Sequence, residues 1–241
     1  MDSPRVFEEL IDAVSSMKMI DLSHTIEEGM PVYPTHPQYF HMRWHTGDPA
    51  TLYQLLISEH AGTHLDVPLH FYSDPSDGRR LSLDEAPLEP CIGRAVKLDF
   101  RSLPPDAELG ADDIRRWEKA NFPLGERDAA IFHFGWDQKW ATLPAGKPFI
   151  ESWPGISRSA AEYLAGRRIR LAGTDCLGID GSSTPDLGTH FVLLERGILI
   201  VENLRRLDLV PTVFLLITLP LKIRDGGGSP IRAVGLIPGD R

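Results

Sequence analysis

Apolar and polar positions alternate along this chain with two different periods, and the periods interleave. Val6, Phe7, Leu10, Ile11, Val14 and Met17 recur at helical spacing, so residues 4–17 read as an amphipathic helix. Ser3 suits its N-cap and Pro4 its first turn. Residues 112–121 read as a second helix with acidic residues at its start, where the helix dipole favours them. Residues 157–165 read as a third, capped by Ser157, with Gly166 just beyond its end. Short apolar runs at 19–23, 53–58, 95–100, 129–134, 169–174, 198–201, 213–218 and 232–237 read as strands. Strands outnumber helices and the two types interleave. The pattern predicts an α/β fold on a mixed sheet.

No repeat or low-complexity stretch divides the chain. The expected organisation is an N-terminal helix over 1–18, serving as a packing or oligomer arm, and one domain over 19–241. Two stretches resist the strand and helix templates. A Pro-rich loop carries Pro31, Pro34 and Pro37, and the run Asp225-Gly-Gly-Gly-Ser-Pro230 reads as a flexible turn without the Lys-Ser/Thr ending of a phosphate loop.

Composition narrows the function classes. The chain has 241 residues and a formal net charge of −9, which argues against nucleic acid as the partner. The most apolar run, Val213 to Leu219, is too short to span a bilayer and stops at Pro220. No secretory leader is evident, and Cys91 and Cys176 are too few for a disulfide scaffold. The expectation is a soluble cytoplasmic protein that acts on a small molecule.

Candidate chemistry concentrates in His60-Ala61-Gly62-Thr63-His64-Leu65-Asp66-Val67-Pro68-Leu69-His70. Successive side chains alternate sides in an extended chain, so the even spacing of His64, Asp66 and His70 points them one way. Gly62 can turn His60 back toward them. Pro68 argues against a central strand with every N–H paired, and favours an edge or an irregular extended segment. Imidazole with carboxylate suits zinc, manganese, iron or related ions. The absence of Cys and the presence of carboxylate favour a catalytic over a closed structural site. A Ser-His-Asp hydrolase lacks its Gly-x-Ser-x-Gly elbow here.

The pattern His-x-Gly-Thr-His-x-Asp-x-Pro-x-His resembles the signature of the cyclase-like metal-dependent hydrolase family, to which bacterial kynurenine formamidase and isatin hydrolase belong. Ile20-Asp21-Leu22-Ser23-His24 and Gly29-Met30-Pro31-Val32-Tyr33-Pro34 are similar to its N-terminal segment, and His190 and Glu202 have the spacing of its later ligands. The resemblance implies a swivelling β/β/α fold, a homodimer or homotetramer, and hydrolysis of an amide-type C–N bond. It implies that His60, His64 and Asp66 hold a first divalent metal, Zn2+ or Mn2+. It further implies that Asp66 and Glu202 bridge to a second metal completed by His190, and that His70 moves protons. Tyr33 stands where kynurenine formamidase carries Trp, in a loop that contributes to the substrate pocket.

The implied substrate is a small aromatic amide, N-formylkynurenine-like or a cyclic amide such as isatin. A lactone hydrolase, a dehydratase and a non-catalytic binding member of the fold remain alternatives. Other polar residues receive plainer readings. Thr63 and Ser58 are expected to orient the imidazoles, His24 to be structural or to support the ligands, and Asp175 and Asp180 to cap a turn. His190 alone reads as a loop residue. Tyr33, Phe40 and Trp44 suit a pocket, a core or a subunit interface equally. His36, His41, His45 and His133 lack ligand spacing.

Overall fold

A computed structural model describes residues 4–47, 49–184 and 186–239. Its strands are β1 (Met17–Asp21), β2 (Phe40–Thr46), β3 (Thr51–Leu56), β4 (His64–Asp66), β5 (Ile92–Asp99), β6 (Glu108–Leu109) and β7 (Ala129–His133). They continue with β8 (Gly155–Ile156), β9 (Leu171–Thr174), β10 (Leu199–Glu202), β11 (Val213–Ile217), β12 (Gly228–Pro230) and β13 (Val234–Pro238). The helices are α1 (Pro4–Ser15), α2 (Ala111–Ala120), α3 (Arg158–Gly166) and α4 (Gly188–Glu195).

Nine strands form one sheet in the order β1-β13-β11-β5-β7-β9-β10-β4-β12. The central pairs β5/β7, β7/β9 and β9/β10 are parallel, and the flanking pairs are antiparallel. All five residues of β7 are buried, as expected of a parallel strand covered on both faces. One face packs Ala130 and Phe132 against Ile114, Leu164 and Leu193 from α2, α3 and α4. The other packs Ala129 and Ile131 in a second core. That core also holds Ile20 and Phe214 from one end of the sheet and Leu65 from the other, so the sheet curls round it. This is the mixed α/β architecture the sequence predicts, with the curled sheet of the swivelling fold.

Ser157 caps α3, its hydroxyl accepting from the Ala160 N–H at 3.3 Å, but Gly166 is the last helical residue rather than the one beyond. Three readings need correction. His190, which alone reads as a loop residue, lies on α4. Residues 228–230, expected to be a flexible turn, form β12 and pair with β4. And β4 is not an edge: it bonds to β10 on one side and β12 on the other, ending before Pro68, which opens a single 3-10 turn. The proline constraint is met by shortness rather than by an edge position.

The hairpin β2–β3 pairs with no other strand among the described residues, and every one of its strand positions is exposed. Val6, Phe7, Leu10 and Ile11 of α1 are also exposed, at 57–62%. Among the described residues, no helix is long and apolar enough to cross a membrane.

Candidate active site

The site is assembled where β4, β10 and the start of α4 meet. Register places Glu202 of β10 opposite His64 of β4. His64 and Asp66, two apart on one strand, face the same side, as their spacing predicts. His60 precedes them across Gly62, whose φ of +61° gives the bend. His70 arrives by a different route from the one expected. It lies on the 3-10 turn Pro68–His70, and that turn, not strand alternation, brings it to the cluster. His190 comes from the first turn of α4.

Ligand atoms of His60, His64 and Asp66 lie within 4.8 Å of one another, as do those of Asp66, His70 and His190. His60 Nδ1 is 2.7 Å from Asp66 Oδ1, and His64 Nε2 is 3.6 Å from the same oxygen. Glu202 reaches His64 Nε2 at 3.4 Å and His190 Nε2 at 3.3 Å with its two oxygens, and its Oε1 also accepts the Ile179 N–H at 2.7 Å. Asp66 Oδ2 lies 3.8 Å from His190 Nε2 and has no hydrogen-bond partner, although the residue is fully buried. A buried carboxylate oxygen without a partner is costly. A cation between the facing imidazoles would satisfy it, and the nitrogen and oxygen donors are of the type that divalent ions take.

Electrostatics bind the cluster together. Burial alone would raise the Asp66 carboxyl, but His60 and His64 outweigh it and hold the group well below the usual carboxylate range. Burial opposes Glu202 as well, and its hydrogen bonds to His190 and His64 bring it to about 2. Burial would lower His64, yet Asp66 and Glu202 raise it to about 9. His70 behaves oppositely: burial dominates and pushes it down to about 4.

The groups that orient the imidazoles differ from those expected. His64 Nδ1 donates to the Gly62 carbonyl at 2.9 Å, and Asn203 Nδ2 donates to the same carbonyl at 2.9 Å. His190 Nδ1 meets Asp180 Oδ2 at 2.5 Å. Thr63 instead bonds to the Asn203 carbonyl and accepts the His24 N–H, and Ser58 accepts the His60 N–H; neither hydroxyl touches an imidazole. Asp180 does cap, accepting the N–H groups of Thr189 and His190, but it also aims His190. Asp175 holds a different turn through the N–H groups of Phe134 and Trp136. His24 stacks on Trp140 with ring centres 3.9 Å apart.

The cluster opens onto a cavity of about 420 Å³. Tyr33, Phe71 and Trp153 give it aromatic walls, with Tyr33 and Trp153 edge to face at 6.2 Å. Phe71 stacks on His190 at 4.9 Å. Phe40 and Trp44 do not line the cavity; they stand exposed on the hairpin. Phe71, Trp153, Asp180, Asn203 and His36 all line the cavity, and no pattern in the sequence marks them as site residues. Their contributions are set by contacts distant in the chain, which no local motif announces.

The model of the Cyclase family matches residues 20–181. The chain belongs to the cyclase family. The Roseibium aggregatum isatin hydrolase is 33% identical over 195 residues, covering 76% of this chain and 74% of that protein. An Erythrobacter litoralis kynurenine formamidase is 28% identical over 223 residues, covering 91% and 94%. The crystal structure of an isatin hydrolase bound to the product analogue thioisatinate superposes with a TM-score of 0.87 at 25% identity, covering 99% of this chain and all of that one.

Proposed function

We propose that this chain is a metal-dependent amidohydrolase that cleaves the C–N bond of a small aromatic amide, either an N-formyl arylamine such as N-formylkynurenine or a cyclic amide such as isatin. The observation that carries this reading is the half-buried His60 with the buried His64, Asp66, His190 and Glu202 at the floor of an aromatic-walled cavity. Its similarity to a kynurenine formamidase and an isatin hydrolase supports it.

His60, His64 and Asp66 would hold one divalent ion, and Glu202 and His190 with Asp66 would hold a second. The donors suit Zn2+ or Mn2+. Such an ion lowers the pKa of its water toward about 7 and polarises the substrate carbonyl.

The chain's own residues do the rest. Tyr33, Trp153 and Phe71 hold the flat aryl ring and exclude water from it. Gly62 and Asp180 fix the ring tautomers that leave His64 Nε2 and His190 Nε2 free to coordinate. His70 stands with its ring centre 3.9 Å from that of His60. With its pKa pushed down to about 4 it is neutral at pH 7, so its ring nitrogen can take a proton and pass it to the leaving amine.

The arm over residues 1–18 and the catalytic unit over 19–241 assemble as a homodimer or homotetramer. The apolar stripe of α1 and the lone hairpin β2–β3 support this, because both expose side chains that a second copy would cover. The protein works in the cytoplasm, consistent with Cys91 and Cys176 being buried and unlinked.

Hydrolysis of N-formylkynurenine and of isatin, assayed before chelation, after it and after restoration with Zn2+ or Mn2+, tests the reading. Activity on at least one substrate should vanish with chelator and return with metal. His70→Ala should lower turnover by about 100-fold or more while metal content stays unchanged. Metal-loaded enzyme inert on both substrates, or full activity in His70→Ala, would overturn it.

A further inference from the structure

A second group of donors meets at the carboxyl end of the sheet, away from the cavity. His133 closes β7, Asp175 follows β9, and Asp137 lies on the 3-10 turn Trp136–Lys139. Strands β7 and β9 are parallel neighbours, so both end at the edge where α/β sheets gather their ligands. One ligand-type atom from each of the three residues lies within 4.8 Å of the other two. None of the three lines the cavity described above. His133 is the member that lacks an explanation. It is 1% exposed, and neither ring nitrogen makes a hydrogen bond among the described residues. Nδ1 is enclosed and unpaired, and Nε2 faces Asp175 Oδ2 at 3.9 Å, too far for a hydrogen bond. Buried polar groups normally find partners. Nearby cations do not fill the gap: Lys97 donates to the carbonyls of Leu207 and Val210, and Arg101 pairs with Asp99.

We propose that His133, Asp137 and Asp175 form a structural site for one divalent ion such as Zn2+, separate from the centre around Asp66. The 3.9 Å gap falls within the span of two donors that each stand about 2.0–2.2 Å from a shared ion. The carboxylates have lone pairs to give. Asp175 accepts the Phe134 N–H on one oxygen and the Trp136 N–H on the other, Asp137 accepts the Arg206 N–H, and each of these oxygens can accept again. Burial lifts the Asp175 carboxyl to about 7, so its charge is under-compensated where it stands. Burial pushes His133 down to about 4, which leaves its imidazole neutral at pH 7, the form that ligates. Asp137 is only half-buried and gives an ion its way in. Such an ion would tie the ends of β7 and β9 to the turn at 136–139.

Zinc content per chain, measured by plasma mass spectrometry after equilibration with Zn2+ and removal of free ion, tests this. His133→Phe keeps a ring and breaks no hydrogen bond; Asp137→Asn keeps an oxygen for the Arg206 N–H. Each variant should hold one zinc fewer than wild type. The difference should persist in a background of Asp66→Asn with Glu202→Gln, which takes two carboxylates from the other cluster. Melting adds a reversal of sign. Without zinc, His133→Phe should melt no lower than wild type, because it removes unpaired buried nitrogens. With free zinc at about 100 times its dissociation constant, wild type should gain about 5–10 °C more in Tm than the variant does. Equal zinc content in all three proteins overturns the proposal, and so does a difference that vanishes in the Asp66→Asn, Glu202→Gln background. Should His133→Phe fail to fold, Asp137→Asn decides by the same count. None of these readouts uses amide turnover, so the hydrolase reading can fail while this site stands.

Discussion

Asp180 illustrates how much of this site depends on one carboxylate that positions its neighbours. It is buried, and its two oxygens receive three groups: the N–H of Thr189 at 2.8 Å, the N–H of His190 at 3.2 Å and His190 Nδ1 at 2.5 Å. The first two anchor the start of α4, and the third fixes the ring so that Nε2 faces Asp66 and Glu202. Asp180→Asn keeps the shape and removes the charge, and the amide can present its NH2 to Nδ1 and turn the tautomer round. Groups that orient a metal-ligating His in this way are worth about 10- to 100-fold in metal affinity. Competition with a chromophoric chelator should show a loss of that size, and unchanged affinity would mean that His190 needs no such orientation. From sequence alone Asp180 has only the signature of a cap. Its partner stands ten residues on, and nothing local distinguishes a carboxylate that closes a turn from one that also aims a ligand.

At the scale of elements, legibility follows locality. The run from His60 to His70 is readable because five of its features sit on one short segment, and β4 needs only alternation to bring His64 and Asp66 together. Helix α4 is not readable, because six of its eight residues, from Gly188 to Leu194, are buried and no polar face marks a helical period. Strand β12 is hidden for a different reason: its glycines look like a loop. The structure gives Gly228 a positive task. A Cβ there would lie 2.4 Å from His60 Cε1, closer than atoms can approach, so only glycine lets the imidazole rest against β12. Gly227 serves likewise, since a Cβ would meet the His70 backbone nitrogen at 3.2 Å. Gly228→Ala should push His60 away from Asp66, at a cost of about 100-fold in kcat/KM, because small misplacements of a reacting group are expensive. Metal analysis and activity on the same preparation would check this. Retention of both would show that the ring has room to shift without consequence.

The whole molecule divides into a well-covered sheet and an uncovered periphery, and the division carries its own prediction. The curled sheet buries residues on both faces, from Phe132 and Leu164 in one core to Ile131 and Leu65 in the other. The periphery is the opposite. Helix α1 turns Val6, Phe7, Leu10 and Ile11 outward, and the hairpin exposes Phe40, Met42, Trp44, Leu55 and Leu56. A two-stranded hairpin standing alone is marginal in water, and a short helix draws most of its stability from burying its apolar face. Neither element finds such cover among the described residues, and the proposed homo-oligomer would supply it from a second copy. Phe7→Asp combined with Ile11→Asp places two charges in the α1 stripe without touching the cavity. Sedimentation should find wild type as a dimer or tetramer and the double variant as a smaller species at the same concentration, with its sheet intact by circular dichroism. A monomeric wild type, or an assembly indifferent to both charges, would rule out α1 as the seam. If the seam lies on the hairpin instead, Trp44→Asp alone should dissociate the assembly, because Trp44 is 69% exposed and is the largest side chain on β2.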